Sequence, residues 1–547
     1  MRYFWFATVA LCLLAGCTAT PPDDTMVSSA LETKEAVRPT ADCEPLSTEN
    51  PLRKRRKVRD HVVRVNPDGL MVDPVREQPF TPEEADRAFR RMMCEAKGLA
   101  RYHGATQPRL LVYVHGGLNG YQATDKKIHD GLARDIMFDP DDWHYPVFIS
   151  WKSDALSNWG EHLFRLREGK KANRFIGALG SPFILIVDVA TTVGRFPATL
   201  WYQVSNEKDR LASRGRLPRS WRSGAWKTAN DRLCGMQRCP DDQRWNYPRK
   251  DQGKDDDVNL TANLSEYHNR LWPSAVRGTQ QVLTVPVRYT LGSVWHSGVS
   301  SASWKVMKRR TLTQFFPASD FDKRWQPRDA ESKDDQPEDT QPKGAELNNA
   351  EPKGAQPVPG GHIFRQILAL SENKTCDNDC PNLTLVGHSM GTMVINGALQ
   401  RFQKQWQDSR LIDDIVYMAA AASIEDSLAA LKPILAGPDP VNFYNLTLNR
   451  VAEVSEVHLW GGVPTGSLLV SIDQHHERPE HPLRRTFGSE VNVLSSIAVI
   501  GEALRDANGE LVFKAFDRYE GALPQQHGDF GEIPFWREET WQLSSQP

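Results

Sequence analysis

The sequence has almost no net charge: 67 Lys and Arg stand against 69 Asp and Glu, a formal −2 at pH 7. That balance supplies no global attraction to nucleic acid or to acidic partners. Long hydrophobic runs are also scarce. Residues 4–14 are apolar but too few for a stop-transfer helix, and 175–202 is broken by Pro182, Asp188, Arg195 and Pro197. Metal-binding spacings are missing. There is no H-E-x-x-H, and Cys376-x-x-x-Cys380 is not followed by a second pair with finger spacing. The cluster Asp473-Gln474-His475-His476-Glu477, with Glu480 and His481, reads as a helix end and a polar loop. The sequence therefore predicts neither a metal nor a cofactor. What remains, 39% hydrophobic and 25% charged residues, is ordinary for a soluble globular chain with a large core.

The first residues address export. Arg2 and the short apolar run have the form of a secretory signal, ending in Leu14-Ala15-Gly16-Cys17. That ending resembles the lipobox of bacterial lipoproteins. The resemblance implies a signal peptide over 1–16, cleavage before Cys17, and a diacylglyceryl group on the Cys17 thiol. Thr18, not Asp, then points to the outer membrane, with the protein facing the periplasm or the surface. Residues 17–58, rich in Thr, Pro, Asp, Glu and Ser, read as a tether. Arg53-Lys54-Arg55-Arg56-Lys57-Val58-Arg59 is a solvated charge run or a patch for anionic head groups beside the anchor.

Eight cysteines are present; setting aside Cys12 and Cys17 leaves six, an even number suited to disulfides in an oxidising compartment. Pairing Cys234 with Cys239 and Cys376 with Cys380 closes small loops and leaves Cys43 with Cys94. This is one of about fifteen connectivities.

Folded structure is expected from near His61. Thr81-Pro82-Glu83-Glu84 carries a helix start, with Thr81 as N-cap and Glu84 as the acid of a capping box. Strands are predicted over 109–114, 147–151, 383–386, 415–418, 442–448 and 511–516. After Met390, Val394, Ile395, Ala398, Leu399, Phe402 and Trp406 share a helical face. Alternation of this kind predicts a mostly parallel sheet flanked by helices. Residues 59–204, 266–325 and 361–547 are read as the pieces of one domain. Residues 205–265 form a charged insertion. Residues 326–360, dominated by Asp, Glu, Lys, Gln, Pro and Gly, form a loop with too little apolar surface to order. The stretch 175–202 is expected to make a buried or lid-like helix pair.

The strongest motif is Gly387-His388-Ser389-Met390-Gly391, set between an apolar strand and an amphipathic helix. Glycines on either side suit a tight, strained turn that lifts a serine hydroxyl above the sheet edge and aims a helix N-terminus at a developing oxyanion. The motif and its setting resemble the α/β-hydrolase superfamily, especially its lipase and serine-esterase branches, over 105–202 and 360–535. Phe148-Ile149-Ser150-Trp151 and Gly466-Ser467-Leu468-Leu469 are similar to a group of bacterial α/β-hydrolases that brings no substrate with it. The resemblance implies an α/β-hydrolase fold with Ser389 as nucleophile. It implies an oxyanion hole from the N–H of Met390 and one from Gly117 or Leu118, in His115-Gly116-Gly117-Leu118. His115 would brace that loop. The family order of serine, acid and histidine places the base after the last strand, at His527. It places the acid after 442–448, where Asn449 departs from the family pattern. Glu453 is the first choice, with Glu456, Asp473, Glu425 and Asp426 as alternatives.

These residues predict hydrolysis of a carboxylic ester through an acyl-enzyme at the cell envelope. The partners would be a small-molecule or lipid ester and the membrane that holds the anchor, with no nucleic acid. An acyltransferase or thioesterase with the same machinery, and a binding protein that keeps the fold without catalysis, are the alternatives.

Overall fold

A computed structural model describes residues 60–212, 299–315, 358–372, 380–516 and 523–542, apart from short gaps, and the segment 260–262. Cys17, the basic run 53–59 and residues 326–357 lie outside these. So does at least one partner of every expected cysteine pair, since only Cys94 and Cys380 are described.

The chain forms an α/β fold around a nine-stranded sheet. Its strands are β1 (Val62–Val65), β2 (Met71–Val72), β3 (Arg109–Val114), β4 (Tyr145–Trp151), β7 (Leu260–Ala262), β8 (Asn382–His388), β9 (Ile412–Met418), β10 (Asn442–Leu448) and β13 (Leu511–Phe516). Four further strands make separate two-stranded ribbons: β5 (Leu166–Arg167) with β6 (Lys170–Lys171), and β11 (Val457–His458) with β12 (Val463–Pro464). The sheet order is β2-β1-β4-β3-β8-β9-β10-β13-β7, and every neighbouring pair is parallel except β1 with β2. Parallel strands covered on both faces need apolar side chains on both faces. The sequence provides them: β4 is buried throughout, and β3, β8 and β10 are buried at every position but the first.

Helices close the two faces. Helix α1 (Pro82–Tyr102) begins with the anticipated capping box: the Glu84 N–H donates to Thr81 Oγ1 at 3.3 Å and the Thr81 N–H to Glu84 Oε2 at 3.0 Å. It buries Phe89, Met92, Met93 and Leu99. Helices α2 (Ala155–Phe164), α3 (Arg174–Ala212), α4 (Ser301–Thr313), α5 (Gly391–Arg401) and α6 (Ile424–Leu435) follow in chain order. Helix α5 buries Val394, Ile395, Ala398 and Leu399; Trp406 belongs to a separate short helix, Gln403–Ser409, beyond a break at Phe402.

Three expectations need correction. The stretch 175–202 is not a pair of helices, and residues 179–197 of it are not buried. It lies within α3, which runs through Pro182 and Pro197 with much of its apolar surface exposed. The insertion 205–265 begins inside α3 and gives β7 to the sheet, where its backbone pairs with β13 at the edge. The loop 326–360 ends too late. The Val358 carbonyl accepts from the Met71 N–H at 2.8 Å, the Gly360 N–H donates to Gly69 at 2.7 Å, and Val358 is buried.

The topology also chooses where chemistry can occur. From β3 the chain moves to β4 on one side, then crosses back to β8 on the other. Loops leaving the carboxyl ends of β3 and β8 therefore diverge and open a crevice, the usual ligand position in parallel sheets.

Candidate active site

Ser389 follows β8 at that crevice and adopts φ +52°. A non-glycine residue held in the left-handed region costs on the order of 1–3 kcal/mol and persists only where its surroundings fix it. Here four main-chain and side-chain bonds do so. The Ser389 N–H donates to the Met418 carbonyl at 2.9 Å, and the Ser389 carbonyl accepts from Ala421 N, Thr392 N and Thr392 Oγ1. The motif's glycines are required by close packing. A Cβ on Gly391 would lie 2.1 Å from the Val114 carbonyl oxygen, and one on Gly387 would lie 2.9 Å from Ile395 Cδ1. The turn is thus wedged between β3 and its own helix.

The loop after β3 packs on this turn. A Cβ on Gly116 would meet Ser389 Cβ at 2.8 Å, and one on Gly117 would meet Met390 Sδ at 2.6 Å. Gly117 and Met390 are therefore brought together at the N-terminus of α5. Leu118 lies outside the described residues. His115 braces this loop. It lies over the Trp151 ring, its Nδ1 is 2.7 Å from the Gly116 carbonyl, and its Nε2 accepts from the Trp151 N–H at 3.1 Å. Burial lowers its pKa to about 4. A neutral ring with Nδ1–H satisfies both contacts.

His527 arrives from the far side. It opens a short 3-10 turn, His527–Gly531, beyond β13, and its Nε2 lies 2.8 Å from Ser389 Oγ. The two side chains are 138 residues apart in sequence and both are buried. The main chain of His527 is held at both polar atoms. Its N–H donates to Glu456 Oε2 at 2.9 Å, and its carbonyl lies 2.9 Å from His388 Nε2. Burial lowers the His388 pKa to about 4, so its ring is neutral and donates Nε2–H to that carbonyl. Sequence reasoning gave His388 no role. Its place between the strand and the serine was the available signal.

Among the candidate carboxylates, Glu456 is the one with a hydrogen bond to His527. Glu453, the first choice from sequence, turns elsewhere. Its carboxyl accepts from Ser489 Oγ at 2.9 Å and Ser467 Oγ at 3.3 Å, and its main-chain carbonyl from Ser467 N. Burial, with Asp473 and Glu490 nearby, pushes its pKa well above the usual carboxyl range. Glu453 ties loops together as a buried acid. Asp473 is occupied by Thr486 and Asn492, Glu425 pairs with Arg484, and Asp426 sits in the capped first turn of α6. Burial raises Glu456 to about 7, offset in part by the His527 N–H. A carboxyl there changes charge near neutral pH.

Ser389, His527, Glu456, Gly116 and Gly117 thus come from four loops at one edge of the sheet. The set offers a hydroxyl, a base in contact with it, a carboxyl beside the base, and main-chain donors beside the hydroxyl. No model of a known protein family, no curated protein and no solved structure matches this chain.

Proposed function

We propose that the chain is a serine-dependent carboxylic ester hydrolase of the α/β-hydrolase type, working through an acyl-enzyme. The observation that carries this reading is the 2.8 Å contact between His527 Nε2 and Ser389 Oγ at a positive-φ strand-to-helix turn. In the reaction, Nε2 takes the hydroxyl proton as Ser389 Oγ attacks the ester carbonyl. The oxyanion is held by the N–H groups of Met390 and the Gly117 loop. His527 then returns the proton to the leaving alcohol. Water repeats the sequence on the acyl-enzyme and releases the acid. Glu456 is the acid of the set: through the His527 main-chain N–H it positions the base and, when ionised, favours its transient positive charge. No cofactor enters. The Cys17 lipobox supports placement at a bacterial envelope membrane, with the lipophilic esters found there as the substrate class.

A fluorophosphonate probe tests the reading directly. The wild-type chain should be labelled at Ser389, and Ser389→Ala should not be labelled. His527→Ala should slow ester turnover by at least about a thousandfold, with the double variant scarcely slower. A wild-type chain that resists the probe would reject the hydrolase reading in favour of a binding protein.

A further inference from the structure

We propose that the outer face of α3 docks in the plane of an anionic lipid bilayer. The helix has inverted polarity. Between residues 179 and 197 every exposed residue is apolar: Leu, Pro, Phe, Ile, Val, Ala or Gly. Phe183 is 72% and Val193 67% exposed. Every polar residue of the same stretch, Ser181, Asp188, Thr191, Thr192 and Arg195, is half-buried. Asp188 pairs with His162 of α2 at 3.2 Å, and Arg195 donates to Ser301 at the start of α4 at 3.3 Å. A helix that belonged to a water-facing surface would show the opposite arrangement.

Leu179–Pro197 is long and apolar enough to cross a membrane by length and composition, about 28 Å at 1.5 Å per residue. Its polar side nevertheless stays on the protein, so lipid cannot surround it. The arrangement is that of a helix lying in the interface with one face in the acyl region. Between residues 179 and 197 the outward face offers no hydrogen-bonding side chain. Protein interfaces carry polar contacts across their area, whereas lipid tails require none. The flanks complement a headgroup layer. In sequence, Arg165, Arg167, Lys170, Lys171 and Arg174 precede residue 179 against Glu168 alone, and Trp201 and Tyr202 come just after residue 197. Helix α4 joins this face to the crevice, because Ser301 holds Arg195 while Met307 lies near Gly117.

The test uses the full chain with a benzophenone amino acid in place of Phe183 or, separately, Val187. Val75, also 72% exposed, serves as the control position. After irradiation on vesicles of phosphatidylglycerol and phosphatidylethanolamine, lipid adducts are expected at 183 and 187 and not at 75. Adduct yield should fall by about fivefold or more on phosphatidylcholine vesicles. Protein–protein adducts at 183 and 187 would show that a second copy covers the face and would overturn the proposal. Equal lipid labelling at 75, or none at 183 and 187, would also overturn it. The readout needs no turnover, so its failure is separate from failure of the hydrolase reading.

Discussion

His388 grips the main chain of His527: the Nε2–H of the one donates to the carbonyl of the other at 2.9 Å. The residue beside the serine thereby sets the height of the loop that brings the base. Replacing it with Phe keeps a ring but leaves that buried carbonyl unpaired, a loss of about 1–3 kcal/mol. His388→Phe should lower the melting temperature and slow fluorophosphonate labelling of Ser389 by about tenfold or more, since small misplacements are costly. Labelling at the wild-type rate would show that His527 does not depend on this bond.

The two buried glutamates after β10 should separate cleanly in kinetics. Glu456→Gln weakens the hold on the His527 main-chain N–H and removes a nearby charge, and should cut kcat by about a hundredfold, since small misplacements of the base are costly. Glu453→Gln should cost less than about tenfold, because its carboxyl bonds Ser467 and Ser489. Steady-state kinetics with a short-chain nitrophenyl ester decides it, and a larger effect at Glu453 would return the acid role to that residue.

Stability should carry the imprint of Glu456 as well. Its carboxyl pKa rises from 4.5 to about 7 on folding. Between those values the folded chain keeps a proton that the unfolded chain has lost. This group's contribution is therefore full at low pH, declines as pH rises through the window, and levels off above 7. The linked change is on the order of 3 kcal/mol. Urea unfolding of wild type and Glu456→Gln across this range should show a slope that the variant lacks. Parallel curves would mean that Glu456 titrates normally.

Gly391 tests why the serine motif needs its second glycine. An added methyl would meet the Val114 carbonyl at 2.1 Å, and backbone cannot step aside as a side chain can. Gly391→Ala should destabilise the fold by about 3 kcal/mol or more. Gly120→Ala, with nothing within 4 Å of the added atom, should be mild. Thermal melts of the two proteins give the comparison, and similar values would refute the steric account.

Local grammar made much of this molecule legible. The capping box at Thr81, the strands at 109–114, 442–448 and 511–516, and the turn at Ser389 each depend on residues within about one turn or strand of one another. The sequence by itself therefore determined the α/β class, the strand-to-helix serine turn and the histidine loop after the last strand. Tertiary structure decided what depends on distant partners. Glu453 and Glu456 lie three residues apart after the same strand. Only the position of His527, 71 residues on from Glu456, makes one its neighbour, while Ser467 and Ser489 claim the other. Strands β1 and β7 are too short to stand out in sequence and join the sheet because β4 and β13 pair with them, β7 as its edge. The polarity of α3 was equally hidden. An amphipathic pattern reveals two faces, and water alone would bury the apolar one; Asp188 on His162 and Arg195 on Ser301 turn the polar one inward.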